Sequence, residues 1–188
     1  MKTEDLFQFL PADAELAETY ERGLLYHEEE RFDKSLEQFW TGLKRSRELG
    51  YREWESMALN NIGMVYQSWG KYDRAVKFYN QSLQVAKEIG FLTGESTSYN
   101  HLGKLYDVWG ETDKALKYYE MSLKIFDHMK DLPNKRTVML NVVRCYEKLG
   151  DYSRCKRMLS EVIKIDEVIG HPNQAADRAY FERLKVKG

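Results

Sequence analysis

Residues 59–79 read LNNIGMVYQSWGKYDRAVKFY, and 40 positions later residues 99–119 read YNHLGKLYDVWGETDKALKYY. The same interval connects glycines and aromatic residues elsewhere in the chain. Residues that recur at this interval form three ladders. The first is Gly70, Gly110 and Gly150; the second is Tyr26, Tyr66, Tyr106 and Tyr146; and the third is Phe39, Tyr79 and Tyr119, followed by Leu159. A fixed period of roughly 20–50 residues is the sequence signature of a repeat protein. We therefore divide the chain into four units, at residues 16–55, 56–95, 96–135 and 136–175.

Each unit is predicted to form two helices. In the second unit, Leu59, Ile62 and Tyr66 recur at steps of three and four residues, the spacing of one helix face. Gly70 is suited to end this helix because glycine adopts the left-handed conformation without steric cost. Asp73 then lies near the start of the next helix, where the helix dipole favours an acid. Two such amphipathic helices can bury their apolar faces only against each other and the next pair, which predicts an all-α fold.

The motif that fills these units resembles the tetratricopeptide repeat (TPR). It reads L-x-x-I-G-x-x-Y at residues 59–66 and A-x-x-x-Y at residues 75–79, and the third unit repeats its central part. The resemblance implies a right-handed α-solenoid of four TPR-like helix hairpins. We expect Gly63 to let the second helix of its hairpin approach closely, and Ala75 to be the surface that Gly63 meets.

The outer units depart from this motif. In the fourth unit Val143 replaces the close-packing glycine, and Leu159 replaces the tyrosine of the second helix. In the first unit Thr19 and Arg22 stand where apolar residues are expected. Terminal repeats are often atypical because one of their faces meets solvent. The departures therefore weaken the register at the ends of the array rather than the fold prediction.

Both ends of the chain are expected to cap the array. Residues 1–15 form an N-terminal cap segment, which would cover the first unit with the apolar side chains of residues 6–10. The alternative is that this segment is peptide-like and lies in its own groove or a neighbour's. Residues 176–188 are predicted to form a C-terminal capping helix. Its inward-facing residues would be Ala176, Ala179, Tyr180 and Leu184.

Composition and charge exclude several classes of protein. The chain has 188 residues and a net charge of −1, which gives no reason to expect a nucleic-acid partner. Its longest apolar run, residues 138–143, contains Asn141 and is far shorter than the roughly 18 residues of a membrane span. Residues 1–5 include acids where a secretory signal needs bases, so we predict a cytoplasmic location. The charge is uneven, with −6 on residues 1–55 and +4 on residues 136–188.

The sequence contains no recognisable catalytic chemistry. It has no phosphate-binding loop, dinucleotide-binding loop, zinc-protease motif or nucleophile elbow. Cys145 and Cys155 occupy apolar core positions of the repeat, so we expect buried free thiols there. The histidines lie in different units without metal-ligand spacing; they are His27, His101, His128 and His171. We therefore predict that the chain is not an enzyme and carries neither a cofactor nor a metal.

The 40-residue period narrows the resemblance within the family. Repeats of this length are similar to those of Pins-type polarity adaptors, kinesin light chains, peptide receptors of Gram-positive quorum sensing, and sensor arrays fused to bacterial kinases. The resemblance implies an adaptor or sensor domain that holds an extended protein or peptide segment in a concave groove. The groove of such arrays is lined by the first helix of each unit.

Positions that the core stripe leaves free on these first helices are the candidate ligand contacts. They are Tyr20, Leu24, Asn60, Met64, Gln67, Asn100, Lys104, Leu140 and Arg144, together with His27, Asp107 and Glu147. Asn60 and Asn100 occupy equivalent places, and an amide can donate and accept hydrogen bonds at once. In the resembled adaptors and receptors such asparagines hold a peptide backbone; the alternative is that these two are solvated surface amides. Lys104 and Arg144 would favour a ligand with an acidic end.

The sequence bears on one other binding mode of the family and on two other functional hypotheses. The carboxylate clamp of heat-shock co-chaperones is incomplete here, because Tyr20 and Leu24 replace its first-unit lysine and asparagine. A self-assembling scaffold is the second hypothesis, in which the acidic front of one copy meets the basic tail of the next in a weak homo-oligomer. The third is a regulatory TPR module of a larger signalling protein. The sequence identifies neither the partner nor the pathway.

Overall fold

A computed structural model describes residues 13–185, and in this range it shows nine helices and no strand. The helices are α1 (Ala14–Glu28), α2 (Phe32–Leu49), α3 (Arg52–Ser68), α4 (Tyr72–Glu88), α5 (Leu92–Val108), α6 (Thr112–Met129), α7 (Leu132–Lys148), α8 (Tyr152–Ile169) and α9 (Gln174–Lys185). Helices α1 to α8 form four successive hairpins, and α9 follows the last one. The predicted all-α fold of four hairpins and a C-terminal helix is confirmed. No helix in the described range is both long enough and apolar enough to cross a membrane.

The first helices of the hairpins begin before the predicted unit boundaries. Helices α3, α5 and α7 begin at Arg52, Leu92 and Leu132, four residues before the predicted starts of the second, third and fourth units. A sequence period fixes the spacing of the units but not the residue at which each unit begins. Most of the predicted cap segment 1–15 lies outside the described residues. Its last residues start α1, where the Asp13 carboxylate accepts a hydrogen bond from the Leu16 amide at 3.0 Å.

The turns explain the ladder of glycines. Gly70, which follows α3, has a φ of 74°. Five other turn glycines have φ between 64° and 86°, and they are Gly50, Gly90, Gly110, Gly150 and Gly170. Residues other than glycine rarely adopt this left-handed backbone conformation, because their Cβ atom comes too close to the following carbonyl oxygen. Glu30 and Lys130 adopt it nevertheless, each with a φ of 57°. Lys130 is therefore a non-glycine residue in a place that the repeat reserves for glycine.

The glycines inside the first helices of the hairpins have another role, which is to leave space for an aromatic ring of the second helix. A Cβ atom on Gly63 would lie 2.7 Å from the ring of Tyr79, and one on Gly103 would lie 2.6 Å from the ring of Tyr119. Both tyrosines are almost completely buried. The close approach predicted for Gly63 is present, but its partner is Tyr79 and not Ala75. The ring on the second helix therefore packs directly on the backbone of the first.

The fourth hairpin fills the same contact with a different pair. Gly23 and Phe39 of the first hairpin repeat the glycine–ring arrangement. Val143 and Leu159 replace it in the fourth, where both side chains are completely buried in one apolar cluster. The extra bulk on the first helix is matched by a smaller side chain on the second. The departure of Val143 from the TPR motif is thus compensated within its own hairpin.

The chain divides into two compact units, one up to His101 and one from Leu102 onward, so that the division falls within α5. The core of the first unit includes the completely buried Leu59 and Ile62 of α3. In the second unit Met139 of α7 belongs to a buried cluster with residues of α8 and α9. Each unit therefore has an apolar core of its own.

Helix α9 packs against α8 as a cap, but with a different face from the one predicted. Leu184 is buried and Tyr180 is half-buried, as expected. Ala176 and Ala179 are exposed, so the prediction that they face inward is wrong. Asp177 is buried in their place. Helix α9 is oriented with Asp177 facing inward because a buried side chain pairs with its carboxylate.

The partner of Asp177 is a buried arginine on α7. Arg136 donates from Nη2 to the Asp177 carboxylate and from Nε to the carboxylate of Asp166 on α8. The side chains of Arg136 and Asp166 are only 6% and 0% exposed. One guanidinium therefore connects α7, α8 and α9. Burial, and to a smaller extent the Asp166 carboxylate, raises the pKa of Asp177 in opposition to Arg136.

Candidate functional site

The predicted ligand contacts are divided between the two units. Those up to His101 are Tyr20, Leu24, Asn60, Met64, Gln67 and Asn100; those from Leu102 onward are Lys104, Leu140 and Arg144. In the first unit a cavity of about 130 Å³ is bounded by α1, α3 and the beginning of α5. Its lining is Tyr20, Ser56, Met57, Asn60, Asn61, Phe91, Thr93, Gly94, Thr97 and His101. Two of the predicted contacts therefore line it, and no aspartate, glutamate, lysine or arginine does.

Asn60 is held more firmly than the sequence suggested. It is only 5% exposed. Its amide nitrogen donates to the Ser98 hydroxyl at 3.2 Å, and its carbonyl oxygen lies 2.8 Å from His101 Nδ1. Because a carbonyl oxygen only accepts, the His101 ring nitrogen must be the donor. The alternative of a solvated amide is wrong for Asn60, since the polar atoms of its side chain bond within the protein and orient His101.

A chain of buried hydroxyls supports this arrangement. The Ser82 hydroxyl on α4 donates to the Ser56 carbonyl oxygen at 2.7 Å and lies 3.0 Å from the Ser98 hydroxyl. Ser98 in turn donates to the Gly94 carbonyl oxygen at 2.9 Å. These bonds connect α3, α4 and α5 behind the cavity. Asn60 is therefore part of a buried polar network rather than a separate surface group.

Asn61 is one of the eight lining residues that were not predicted as ligand contacts. It is 7% exposed, and its side chain is a hydrogen-bond partner of Tyr20. The nearby Tyr20 ring packs edge-on against Phe39 and Trp54, with centroid distances of 6.1 Å to each. Burial raises the pKa of Tyr20, and the Asn61 side chain opposes this to a smaller extent. The available signal was the period itself, because Asn61 and His101 are equivalent positions of successive repeats.

The other predicted residues of the first unit are half-buried. Gln67 accepts a hydrogen bond from the Tyr79 hydroxyl at 2.8 Å. It therefore satisfies the hydroxyl of the buried ring that packs on Gly63. His27, near the end of α1, lies 2.9 Å from the Ser68 hydroxyl. Burial lowers the pKa of His27, and the charge of Glu28 opposes this. Leu24, Met64 and Asn100 are half-buried.

In the second unit the predicted cations influence each other. Burial lowers the pKa of Lys104, and the positive charge of Arg144 lowers it further. Arg144 is exposed and donates to the side-chain oxygen of Asn141. Leu140 and Arg144 line a surface depression with Tyr180 of α9. The prediction that Lys104 and Arg144 form a cationic site stays a prediction about ligand binding.

The acidic candidates of the second unit accept hydrogen bonds from other side chains. The Asp107 carboxylate accepts from Lys148 at 2.7 Å, and the Glu147 carboxylate accepts from the Tyr180 hydroxyl. Burial, with the carboxyl group of Glu147 adding to it, raises the pKa of Tyr180 above its usual range. These acids are therefore paired within the second unit.

The cysteines are buried and free, as predicted. Burial and, to a smaller extent, the Asp107 carboxylate raise the pKa of Cys145 to about 12. Burial raises the pKa of Cys155 to about 11, and its thiol donates to the Val143 carbonyl oxygen at 3.3 Å. These thiols are poor nucleophiles because the reactive form of cysteine is the thiolate. Between Asp13 and Lys185 no group of three or more His, Cys, Asp or Glu residues is placed to hold a metal.

Comparisons with known proteins agree with this architecture. Family models described as tetratricopeptide repeat match residues 15–88, and residues 96–127 and 137–168. These ranges cover well over half of the chain. No curated protein matches the sequence.

Solved structures are also similar. BtubC (BKLC) from P. vanneervenii has a TM-score of 0.71 at 24% identity, over 89% of this chain and 71% of that one. A putative kinesin light chain with nearly identical TPR-like repeats from Podosopora anserina has a TM-score of 0.74 at 16% identity, over 92% and 86%. A Rap protein complexed with competence and sporulation factor has a TM-score of 0.69 at 14% identity, over 97% of this chain and 51% of that one. At such identities the likeness shows the fold alone, and this chain spans about half the length of the Rap protein.

Proposed function

Because this chain belongs to the tetratricopeptide repeat family, we propose that it is a protein-interaction module that binds an extended segment of a partner and catalyses no reaction. The observation that carries the proposal is the cavity of the first unit. It lies between α1, α3 and α5, the first helices of their hairpins, and Tyr20 and Asn60 line it. Concave sites with apolar walls and a few fixed polar groups are the usual form of a binding site. The Rap protein complexed with competence and sporulation factor supports this reading by analogy.

The proposed ligand is an extended segment with an acidic end. The cavity of the first unit has no charged lining residue, so it suits an uncharged portion of the ligand. In the second unit Lys104 and Arg144 form the proposed cationic site, since the charge of Arg144 already lowers the pKa of Lys104. A carboxylate there would offset the repulsion between the two cations. A peptide with a free carboxyl terminus should therefore bind more tightly than the same peptide as an amide.

A peptide selection tests the proposal without knowledge of the natural partner. Random peptides displayed on phage are selected on the immobilised chain, and the enriched sequences are titrated by fluorescence anisotropy. A matched pair of variants then locates the site. Thr97→Phe places a ring in the cavity, and Asn80→Phe places the same ring at an exposed position of the second helix α4.

We expect the selected peptides to share a consensus and to lose at least about tenfold in affinity for Thr97→Phe, which corresponds to about 1.4 kcal/mol. Asn80→Phe should bind them like the wild type. Equal affinity for the two variants would move the binding site away from the first helices. Enrichment of unrelated sequences would contradict the peptide-binding function itself.

A further inference from the structure

The cavity of the first unit lies where a glycine replaces a large side chain of the preceding repeat. Gly94 of α5 is the 40-residue equivalent of Trp54 of α3. Trp54 is only 3% exposed and packs edge-on against Tyr20, and the space left beside it is about 10 Å³. The space beside Gly94 is about 130 Å³. The third hairpin therefore leaves open a volume that the second hairpin fills with its own side chain.

The Phe91 ring sets the size of this space. It lies so close to Gly94 that a Cβ atom at residue 94 would be 2.4 Å from the ring. The ring therefore occupies part of the place that a side chain at residue 94 would take, and the remainder stays open. An apolar cavity of about 150 Å³ holds one benzene molecule. The open space of about 130 Å³ therefore suits a branched aliphatic side chain and is too small for an indole ring.

Three polar residues of the lining already bond within the protein. Asn60 bonds with two residues of α5, and the Ser56 hydroxyl bonds with Ser82 of α4. Asn61 is a hydrogen-bond partner of Tyr20. Because these side chains have partners in the protein, their roles are structural and do not require a polar ligand group.

The surface of the cavity selects against a charged ligand group. Most of the exposed lining is apolar, with contributions from Met57 and Phe91, and none of the described lining residues is an Asp, Glu, Lys or Arg. A carboxylate or ammonium placed there would lose its hydration without gaining an opposite charge. The wall residues Tyr20, Thr93 and Thr97 are half-buried, so the cavity can be reached from solvent. An apolar side chain of a ligand can therefore enter it.

We propose that this cavity binds a leucine or isoleucine side chain of the partner's segment. The aliphatic group enters the space beside Gly94 and packs on Met57 and Phe91. Its burial removes apolar surface of both molecules from water, which is the dominant favourable contribution in most protein association. The inference rests on the proposed function, since it assigns one anchoring side chain of the same peptide site.

The direct test is an NMR titration with N-acetylleucine amide as the probe. The Met57 methyl signal, which is assigned by its loss in Met57→Leu, reports on the cavity. We expect the probe to shift this signal in a dose-dependent manner in the wild type and to cause no shift in Thr97→Phe. N-acetylasparagine amide has a polar side chain of similar shape, and N-acetyltryptophan amide has a larger one. Both should cause less than a third of the shift at the same concentration.

The proposal is overturned if the leucine probe shifts no cavity signal, or if the three probes act equally. A larger shift with the asparagine probe would also overturn it, because the threonine hydroxyls and not the apolar wall would then select the ligand. If Met57→Leu fails to fold, the Thr97 methyl signal, identified by its loss in Thr97→Phe, serves as the reporter.

Enlarging the cavity provides a second test. Replacing the leucine or isoleucine of the selected peptides with tryptophan should weaken binding to the wild type at least about tenfold. Phe91→Ala removes the ring that limits the space, so this variant should bind the tryptophan peptide at least as tightly as the original one. The matched control is Phe78→Ala, which removes a half-buried ring outside the cavity and should keep the wild-type preference. An unchanged preference in Phe91→Ala would overturn the proposed position of the side chain.

The selected peptides separate this inference from the proposed function. Replacing their leucine or isoleucine with asparagine nearly keeps the size of the side chain and should weaken binding to the wild type at least about tenfold. This comparison needs no protein variant, so it decides the matter if Phe91→Ala fails to fold. Peptides that bind and respond to Thr97→Phe, but contain no such residue or tolerate its replacement, would overturn the aliphatic pocket while supporting the groove. A leucine probe that binds although no peptide is selected would support the pocket and contradict the peptide-binding function.

Discussion

At the scale of single residues, the same 40-residue position serves different purposes in different repeats. Position 61 is an asparagine that bonds with Tyr20 of α1, while its equivalent at position 101 is a histidine bonded to Asn60. The period locates such residues but does not say which partner each of them bonds with. That depends on neighbours from other helices, such as Ser98 on α5. The buried role of Asn60 also changes the expected effect of Asn60→Ala, which would leave the His101 ring nitrogen without its acceptor.

Lys130 gives a residue-scale prediction, because it adopts a φ of 57° in a place where the repeat otherwise uses glycine. The left-handed conformation costs a non-glycine residue about 1–2 kcal/mol. Part of this is offset by the greater flexibility of glycine in the unfolded chain. We expect Lys130→Gly to raise the free energy of unfolding by up to about 1 kcal/mol in urea denaturation.

The matched control for Lys130 is Lys117→Gly, which changes an exposed lysine inside α6. Glycine in a helix interior costs about 1 kcal/mol relative to alanine. This variant should therefore be less stable than the wild type. Destabilisation by both substitutions would show that Lys130 is not strained.

At the scale of elements, the hairpins are held together by the contact between a ring and a glycine. Three hairpins use glycine with phenylalanine or tyrosine, and the fourth uses Val143 with Leu159. The combined bulk of the pair matters more than either residue. A motif search that scores each position separately therefore penalises the fourth hairpin although it is well packed.

The glycine–ring contact predicts the effect of overpacking. In Gly103→Leu the new side chain would occupy the place of the Tyr119 ring, whose atoms lie 2.6 Å from the position of a Cβ. We expect the free energy of unfolding to fall by about 1–3 kcal/mol or more. Adding Tyr119→Leu should recover part of this loss, because the pair then resembles Val143 and Leu159.

A double-mutant cycle of thermal or urea unfolding measures this compensation. Additive effects of Gly103→Leu and Tyr119→Leu would mean that the two residues do not share one contact. An unchanged stability of Gly103→Leu alone would mean that residue 103 is not at a close helix crossing.

The capping helix α9 gives a prediction about pH. Burial raises the pKa of Asp177, which means that the folded chain binds its proton more tightly than the unfolded chain. The stability that this group contributes is therefore complete below its unfolded pKa of about 3.9 and is lost as pH rises through the raised value. Asp177→Asn removes this loss and can still accept from Arg136. We expect the stability of this variant relative to the wild type to increase from about pH 4 to about pH 7.

Urea denaturation at the two pH values measures the change, and Asp113→Asn at an exposed position of α6 controls for the altered net charge. The opposite trend, in which Asp177→Asn becomes relatively less stable as pH rises, would show that pairing with Arg136 outweighs burial. The pKa of Asp177 would then be lowered and not raised.

At the scale of the whole molecule, the charge distribution bears on the scaffold hypothesis. Residues 1–55 carry a net charge of −6 and residues 136–188 a net charge of +4. Opposite charges on two copies attract at low ionic strength, where the screening length is about 30 Å at 0.01 M, and are screened within about 8 Å at 0.15 M. If head-to-tail contacts form, the chain should elute earlier from size-exclusion chromatography at low salt. An elution volume that does not change with salt would leave the peptide-binding module as the sole hypothesis of the two.

The sequence by itself determined the helices, the turns and the hairpin order. Periodicity reports where apolar residues lie along one helix, and a glycine with positive φ ends a helix through local geometry alone. The buried free cysteines followed from the same pattern, since Cys145 and Cys155 occupy core positions of the repeat. These features depend on neighbours in the chain, so a single sequence carries them.

The tertiary structure decided which partners the buried polar residues have. Asn60 and Asn61 are adjacent in sequence and similarly buried, yet the Asn60 amide bonds with Ser98 and His101 while the Asn61 side chain bonds with Tyr20. The inward face of α9 likewise followed the buried charge of Asp177 and not the predicted alanines. Hydrogen bonds and ion pairs of this kind join residues of different helices that are 30 to 41 positions apart in the chain. Such pairing depends on distances between side chains of different helices, and these distances exist only once the helices have packed.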